Sequence, residues 1–393
     1  MDRYYEKALE INKELIINRR TLHNYAEIGF DLPQTTAFVM KKLTEYGLTP
    51  SLVGKAGVSC TLGHPGKTIL LRADMDALPM VEKTGLDFAA PNGNCHSCGH
   101  DCHTAMLLGA AKLLKQNEDN LKGTVKFMFQ PAEELLAGAN DMIAAGILEN
   151  PKVDTALGIH VKVGYETFDV GSVTYAKGTA LYSGDAVRIT IKGKNAHGST
   201  PEKGIDAINI AAHVVISLQE IISREIPCTE HAVLIVGKIQ GGDTVNTLAG
   251  SAVIEASIRA TTQEMRDFLK KRVKEISENV AATFRGQAIV EFVYGIGPLY
   301  NNPSFSDEIA GYCKKILAAE KVKEIPTACG TEDFTSIAEL VPSVMLNLGA
   351  GSLEDGHICS MHNPGMIVDE KVLPLGAALY AYCAAQYLEN NQC

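Results

Sequence analysis

Thr124-Val-Lys-Phe-Met-Phe-Gln-Pro-Ala-Glu133-Glu134 passes from a run of strand formers into two adjacent carboxylates. Three other short runs have the same apolar texture: Thr68-Ile-Leu-Leu-Arg72, Thr155-Ala-Leu-Gly-Ile159 and Ser343-Val-Met-Leu-Asn-Leu348. Segment 103–116, lying between two of them, has a helical pattern. Strands alternating with helices predict an α/β fold built on an open mixed sheet with helices on its faces. Polar residues follow each run: Asp74 and Asp76 the first, Glu133 and Glu134 the second, His160 the third, Gly349-Ala-Gly351 the fourth. Ligands of open α/β sheets bind outside the carboxyl ends of the strands, so these distant residues are expected to share one cleft. Activating water on a metal takes one carboxylate to hold the ion and an unbound one to accept the proton, and adjacent glutamates supply both.

Cys98-Gly-His100-Asp101 adds softer donors within a segment of nine residues, 95–103, that holds three cysteines and three histidines. Packing alone does not account for such a cluster, whereas thiolate, imidazole and carboxylate together suit zinc. The rest of the composition is ordinary. The chain has 393 residues, 46% hydrophobic and 21% charged, with a net charge of −10 and no basic run. Nucleic acid and anionic membrane surfaces are therefore not expected partners. No apolar stretch approaches the roughly 20 residues of a membrane span, and the charged start Met1-Asp-Arg-Tyr-Tyr-Glu-Lys lacks the apolar core of a signal peptide. A cytoplasmic protein with mostly reduced cysteines is the expectation.

Residues 3–23 and 34–46 read as helices, with Gly47 as a stop. Between about 180 and 294 the pattern changes to strand 185–191, helix 204–224, strands 232–239 and 252–260, helix 262–284 and strand 287–293. That β-α-β-β-α-β order predicts a ferredoxin-like unit inserted into the larger domain. The expected organisation is a catalytic domain formed by 1–179 and 295–393, interrupted by a lid or dimerisation domain at 180–294.

The landmarks run nearly end to end: Arg19-Arg-x-Leu-His23-x-x-x-Glu27-x-Gly29, Arg72-Ala-Asp74-Met-Asp76-Ala-Leu-Pro79, His96-x-Cys98-Gly-His100-Asp101, Gln130-Pro-Ala-Glu133-Glu134, Gly193-x-x-x-His197-x-x-x-Pro201, Gly330-x-Glu332-Asp333-Phe334 and His362-Asn-Pro364. In this order they resemble the amidohydrolase branch of the dizinc aminoacylase and carboxypeptidase superfamily. The resemblance implies that Cys98, His100, Glu134, His160 and His362 hold two divalent ions, with Glu133 as the base that cleaves N-acyl amino acids. Zn²⁺ suits the donor set; Mn²⁺, Co²⁺ and Ni²⁺ are alternatives. Asp76 resembles the family's carboxylate behind the ligands, while Asp101 either orients a ligand or caps the following helix. His197, Asn246 and Arg259 are implied to reach the substrate from the inserted unit, which is also the expected homodimer contact. Plainer readings make Arg259 a surface ion pair and Asn246 a turn residue, assign His23 and Glu27 to stabilising the first helix, and bury His213 in a core. Relatives often carry proline where this chain has Ala26, and other residues at Asn246-Thr-Leu-Ala249 and Gly365-Met366.

A metallo-dipeptidase or carboxypeptidase would use the same residues and is the first alternative. Cys95-His-Ser-Cys98 read as a C-x-x-C redox pair is a remote one, since no thioredoxin-type unit precedes it. A binding protein without turnover is the third.

Overall fold

The computed structural model describes residues Arg3–Gln392 and divides into two compact units. One comprises the residues up to Ala180, Tyr300–Pro326 and those from Asp333 on; the other comprises Leu181–Leu299 and Thr327–Glu332.

The first unit opens with helices α1 (Arg3–Glu10), α2 (Asn12–Tyr25) and α3 (Pro33–Glu45). It continues with β1 (Ser51–Val53), β2 (Gly57–Gly63), β3 (Thr68–Asp74), α4 (His100–Lys115), β4 (Thr124–Gln130), α5 (Gly138–Ala144), β5 (Thr155–Lys162) and β6 (Val173–Tyr175). After β7 (Gly178–Leu181) the chain forms β8 (Gly184–Lys192), β9 (Ala196–His197), α6 (Ala207–Glu220), β10 (Ala232–Gly241), β11 (Thr247–Leu248), β12 (Ser251–Ala260), α7 (Gln263–Thr283) and β13 (Gln287–Ile296). The remainder is β14 (Leu299–Asn301), α8 (Pro303–Ile316), β15 (Val322–Glu324), α9 (Thr335–Ala338), β16 (Ser343–Gly349) and α10 (Val372–Asn390).

Eight strands form a mixed sheet in the order β1-β2-β4-β3-β5-β16-β6-β15. Its centre, β4-β3-β5-β16, is parallel. Every residue of β3 is buried, and so is all of β5 except Lys162, which is why these strands read as continuous apolar runs rather than alternating ones. α4 is buried without interruption from His100 to Ala111 and α10 from Val372 to Ala381. Glycines permit the close contact: a Cβ on Gly109 would stand 2.9 Å from Ala377 Cβ, and one on Gly376 only 1.9 Å from Met106 Sδ.

The pairing of β3 with β5 stops at Arg72 and Gly158. Beyond it Tyr380 of α10 enters: its hydroxyl accepts from the Ile159 N–H at 2.8 Å and donates to the Arg72 carbonyl at 2.6 Å. The chain leaves β3 for β4 on one side and returns to β5 on the other, so this parting is the switch point of the sheet.

The second unit contains β8-α6-β10-β12-α7-β13, with sheet order β10-β12-β8-β13 and every pairing antiparallel. It has its own core, in which Ile189, Ile191, Ile254 and Ile258 of the sheet meet Val214 and Leu218 of α6 and Leu269 and Val273 of α7. Asp206 caps α6 by accepting from Ile208 N and Asn209 N, and Thr262 caps α7 by accepting from Met265 N.

Three local readings are corrected. The helix expected over 3–23 is two helices parted at Ile11, because both halves face one core and the apolar period survives the break. His213 is exposed and stacks on Phe284 with ring centroids 4.5 Å apart. Glu27 accepts from Gln34 N and Thr35 N, so it caps α3 rather than the first helix. No helix among the described residues is long and apolar enough to cross a membrane.

Tyr380→Phe leaves the buried Ile159 N–H without its hydroxyl partner and is expected to cost about 1–3 kcal/mol, measured as a lower urea midpoint. An unchanged midpoint would show that the hydroxyl does not hold the two strands.

Candidate metal centre

Four segments of the first unit bring donors to the carboxyl ends of β3, β4 and β5. Cys98 precedes α4 and His100 is its first residue. Gly99 between them has φ +88°, and a Cβ there would stand 2.3 Å from Val161 Cγ2. Only glycine fits this turn. Glu133 and Glu134 follow β4 after Ala132, itself at φ 54°. His160 lies near the end of β5, and His362, at φ 61°, is carried by a loop whose N–H donates to the Ser97 carbonyl.

The donors converge. Cys98 Sγ is 3.6 Å from His160 Nε2 and 3.3 Å from His362 Nε2. Glu134 Oε1 is 3.5 Å from His362 Nε2 and 4.0 Å from His100 Nε2, and Glu133 Oε2 is 4.0 Å from the same nitrogen. Cys98-His100-His160 and Cys98-Glu134-His362 are thus two three-donor groups that share the thiol.

Their chemistry fits a pair of divalent cations. His100 Nδ1 donates to the Asp76 carbonyl at 2.8 Å and His160 Nδ1 to the Val161 carbonyl at 2.6 Å, which leaves each Nε2 lone pair for an ion. His100 Nε2 and Glu134 Oε1 are buried without a hydrogen-bond partner. Burial pushes the Cys98 thiol up to about 11 and, with Asp76 and Asp74 nearby, the Glu134 carboxyl up to about 7. Burial also opposes a charged His100, yet Asp74 and Cys98 draw its pKa well above the ordinary value. Anionic groups that resist ionisation, beside an imidazole that attracts a proton, mark a place short of positive charge.

Behind the donors lies a layer of paired charges. Asp76 accepts from the backbone N–H of both Glu133 and Glu134, at 3.0 and 3.2 Å, and so fixes the turn carrying the two carboxylates. Asp74, the last residue of β3, is wholly buried and bonded to Arg72 and His103. His103 also accepts from Val161 N, so neither of its nitrogens is open to an ion. Arg72 continues to Asp333, which accepts from Gln130 and Ala139 N. The sequence marked Arg72, Gln130 and Asp333 as landmarks without roles, and their separation along the chain hid the contact.

Asp101 neither caps α4 nor hydrogen-bonds a proposed ligand. One oxygen takes both Arg19 Nε at 2.7 Å and His23 Nδ1 at 2.8 Å, and the other is buried without a partner. His23 therefore ties Asp101 to Glu82 rather than stabilising its own helix. Burial opposes its charge, but Asp101 and Glu82 hold its pKa at about 9. His96, buried with neither nitrogen bonded, is pushed down to about 3 by burial. Burial raises Cys95 to about 12, the reverse of a reactive redox thiol. Ala26 has φ 37°, a value that proline cannot adopt.

In the second unit, His197 and Asn246 are neighbours: β9 pairs with β11 through His197 and Thr247, and Gly198 N donates to the Asn246 carbonyl. His197 Nδ1 accepts from Ser199, and Asn246 Oδ1 accepts from Thr244. Arg259 lies at the other end of β12, where Nη1 donates to the Cys329 carbonyl at 2.9 Å. Within this unit the three do not form one cluster.

Residues 70–386 match the model of peptidase family M20/M25/M40, and the chain belongs to that family. It is 37% identical to the N-acetyl-L-cysteine deacetylase of Bacillus subtilis, over 97% of this chain and 90% of that protein. It is 34% identical to thermostable carboxypeptidase 1 of Saccharolobus solfataricus, over 96% of each. Among solved structures, a dinuclear metal-binding peptidase of the M20 family from Bacillus subtilis superimposes with a TM-score of 0.83 at 30% identity, over 97% of this chain and 99% of that one. The class defined by fold and family is a hydrolase of amide carbon–nitrogen bonds.

The buried ion pairs give a pH signature. His23, raised from 6.5 to about 9, contributes stability that is complete below pH 6.5 and is lost as pH rises through 9. Glu82 is lowered from 4.5 to about 2 by His23, Thr84 and Ala90 N against the opposing effect of burial, so its share is complete above pH 4.5 and lost as pH falls through 2. The stability difference between wild type and His23→Gln, from urea titrations, should be largest between pH 4.5 and 6.5 and shrink toward pH 9. A difference independent of pH would remove the charge from His23.

Proposed function

We infer that the protein is a metal-dependent amidohydrolase that cleaves the amide bond of N-acyl amino acids, with Glu133 as general base and then general acid. The observation that carries this reading is the pair of donor groups sharing Cys98, with the Glu133 carboxylate beside them, 4.0 Å from His100 Nε2. Cys98, His100, Glu134, His160 and His362 are the proposed ligands of two divalent ions, which when bound lower the pKa of a water and polarise the scissile carbonyl. The sulfur, nitrogen and oxygen donors favour Zn²⁺ over Mn²⁺, Co²⁺ or Ni²⁺ in this reading.

Glu133 takes a proton from the attacking water as its oxygen bonds to the amide carbon, then delivers that proton to the departing nitrogen. One water is consumed, and a carboxylic acid and an amine leave. Asp76 keeps Glu133 aimed, because the two backbone N–H groups it holds fix the turn. His197, Asn246 and Arg259 are the proposed substrate contacts, His197 for the oxyanion and Arg259 for the α-carboxylate. That one copy of the inserted unit keeps Arg259 apart from the other two supports a homodimer through this unit. The likeness to a carboxypeptidase keeps peptide cleavage as the second reading.

Metal-loaded protein is expected to release amine from N-acetyl and N-benzoyl amino acids and to lose this activity with chelator. Cleavage of unblocked dipeptides alone would install the peptidase reading instead. Glu133→Gln should keep its metal and lose about 10²–10⁴-fold in kcat, the usual worth of a positioned acid–base group. Full activity in that variant would remove Glu133 from the chemistry. Cys98→Ser should bind less metal by elemental analysis, and an undiminished content would exclude the thiol as a ligand.

A further inference from the structure

Between β3 and α4 the chain carries no helix or strand, yet both of its ends serve the metal centre. Asp76 at the start holds the turn of Glu133 and Glu134, and Cys98 stands at the end, just before His100. Leu78 and Cys95 exchange two backbone hydrogen bonds of 3.0 Å, which close residues 79–94 into a loop at its base. This stretch also reaches His362, whose own segment, residues 350–371, has no helix or strand. The Lys83 N–H donates to the Pro364 carbonyl at 2.8 Å, and the His362 N–H donates to the Ser97 carbonyl at 2.7 Å. A histidine at φ 61° keeps that conformation only where its surroundings impose it, and these two bonds are the grip.

Lys83 is placed by its neighbour. The Glu82 side chain is 2% exposed and fully engaged: Oε2 accepts from Ala90 N at 2.9 Å, Oε1 accepts from the Thr84 hydroxyl, and both oxygens stand 3.1 Å from His23 Nε2. Thr84 and Ala90 belong to the loop itself, whereas His23 lies on α2 and its Nδ1 donates to Asp101, the residue after His100. With a carboxylate at each nitrogen the ring carries both protons and ties the loop to the start of α4. Contacts thus run from Asp101 through His23 and Glu82 to Lys83 and Pro364. None of these five residues is a proposed ligand, so donor chemistry alone does not single them out.

The two donor groups depend on this chain unequally. Cys98-His100-His160 takes one ligand from α4 and one from β5, while Cys98-Glu134-His362 includes the ligand that the loop grips. We propose that Glu82 is a positioning residue of the metal centre: anchored on His23, it fixes the Lys83 N–H that holds the His362 segment, and so sets the affinity of Cys98-Glu134-His362 for its ion. The proposal rests on the ligand assignment made with the amidohydrolase reading and adds to it a residue that touches neither ion nor substrate.

The test equilibrates full-length protein in graded Zn²⁺ buffers and measures metal content for wild type, Glu82→Ala, Glu82→Gln, His362→Ala and the double variant Glu82→Ala/His362→Ala. Glu82→Ala should weaken one of two bound ions by about 10–100-fold, the usual effect of removing a residue behind a ligand, and leave the other within about threefold. Glu82→Gln should retain most of the affinity, because its amide still accepts from Ala90 N and can donate to a His23 ring that has given up one proton. The double variant should bind no worse than His362→Ala, since both changes disable the same group. Glu14→Ala, which breaks contacts of α2 with Lys42 and Lys112, should lower the urea midpoint and leave both affinities unchanged. Where Glu82→Ala does not fold, hydrogen exchange on wild type decides: uptake of the second ion should slow the Lys83 amide, because coupling is reciprocal. Wild-type affinities in Glu82→Ala, equal losses at both ions, or a Lys83 amide indifferent to the second ion would overturn the proposal. If His362→Ala loses an ion while Glu82→Ala loses none, the ligand assignment stands and the positioning role alone fails; if His362→Ala itself binds both ions as wild type does, the assignment fails and takes the proposal with it.

Discussion

Everything at the centre depends on the parting of β3 from β5 beyond Arg72 and Gly158. Two parallel strands that stop pairing leave backbone groups to be satisfied, and one phenol hydroxyl satisfies one on each side. The opening lets Asp74 turn toward α4 while His160 continues along its strand. Without that fork, the helix start bearing His100 and the turn bearing the two glutamates would have no common space to face.

The charges are arranged in two layers. In the inner layer Asp74 and Asp333 share Arg72, Asp101 holds Arg19 and His23, and Asp76 is held by two backbone N–H groups. In the outer layer Glu134 and Cys98 face imidazoles and each other and remain reluctant to ionise. Burying unpaired charge is costly. The protein neutralises one layer internally and leaves the other to be neutralised by what it binds, so donor geometry and metal loading are coupled.

Much of this was legible in the sequence because strand ends and local spacing are short-range signals. The runs ending at Arg72, Phe129 and Ile159 lie within the observed strands, and between 184 and 296 the four long strands and two helices follow the order that texture predicted, with the two-residue strands β9 and β11 added. What escaped the sequence depends on partners far along the chain. Glu27 reads as a residue of its own helix until the start of α3 folds back onto it. Asp101 sits where a helix cap belongs, yet Arg19 and His23, roughly eighty positions earlier, claim it. The exposure of His213 was hidden for another reason: it lies in the apolar run of α6, yet its position falls on the solvent side of that helix, where it stacks on Phe284.

His362 sits in the left-handed region at φ 61°, a conformation that a side chain with a Cβ resists by roughly 1 kcal/mol or more. Glycine would relieve that strain but bring no nitrogen to Cys98 and Glu134. The position therefore sets thermal robustness against function: substitutions chosen for stability alone would drift toward glycine here and disarm the centre while improving the scaffold.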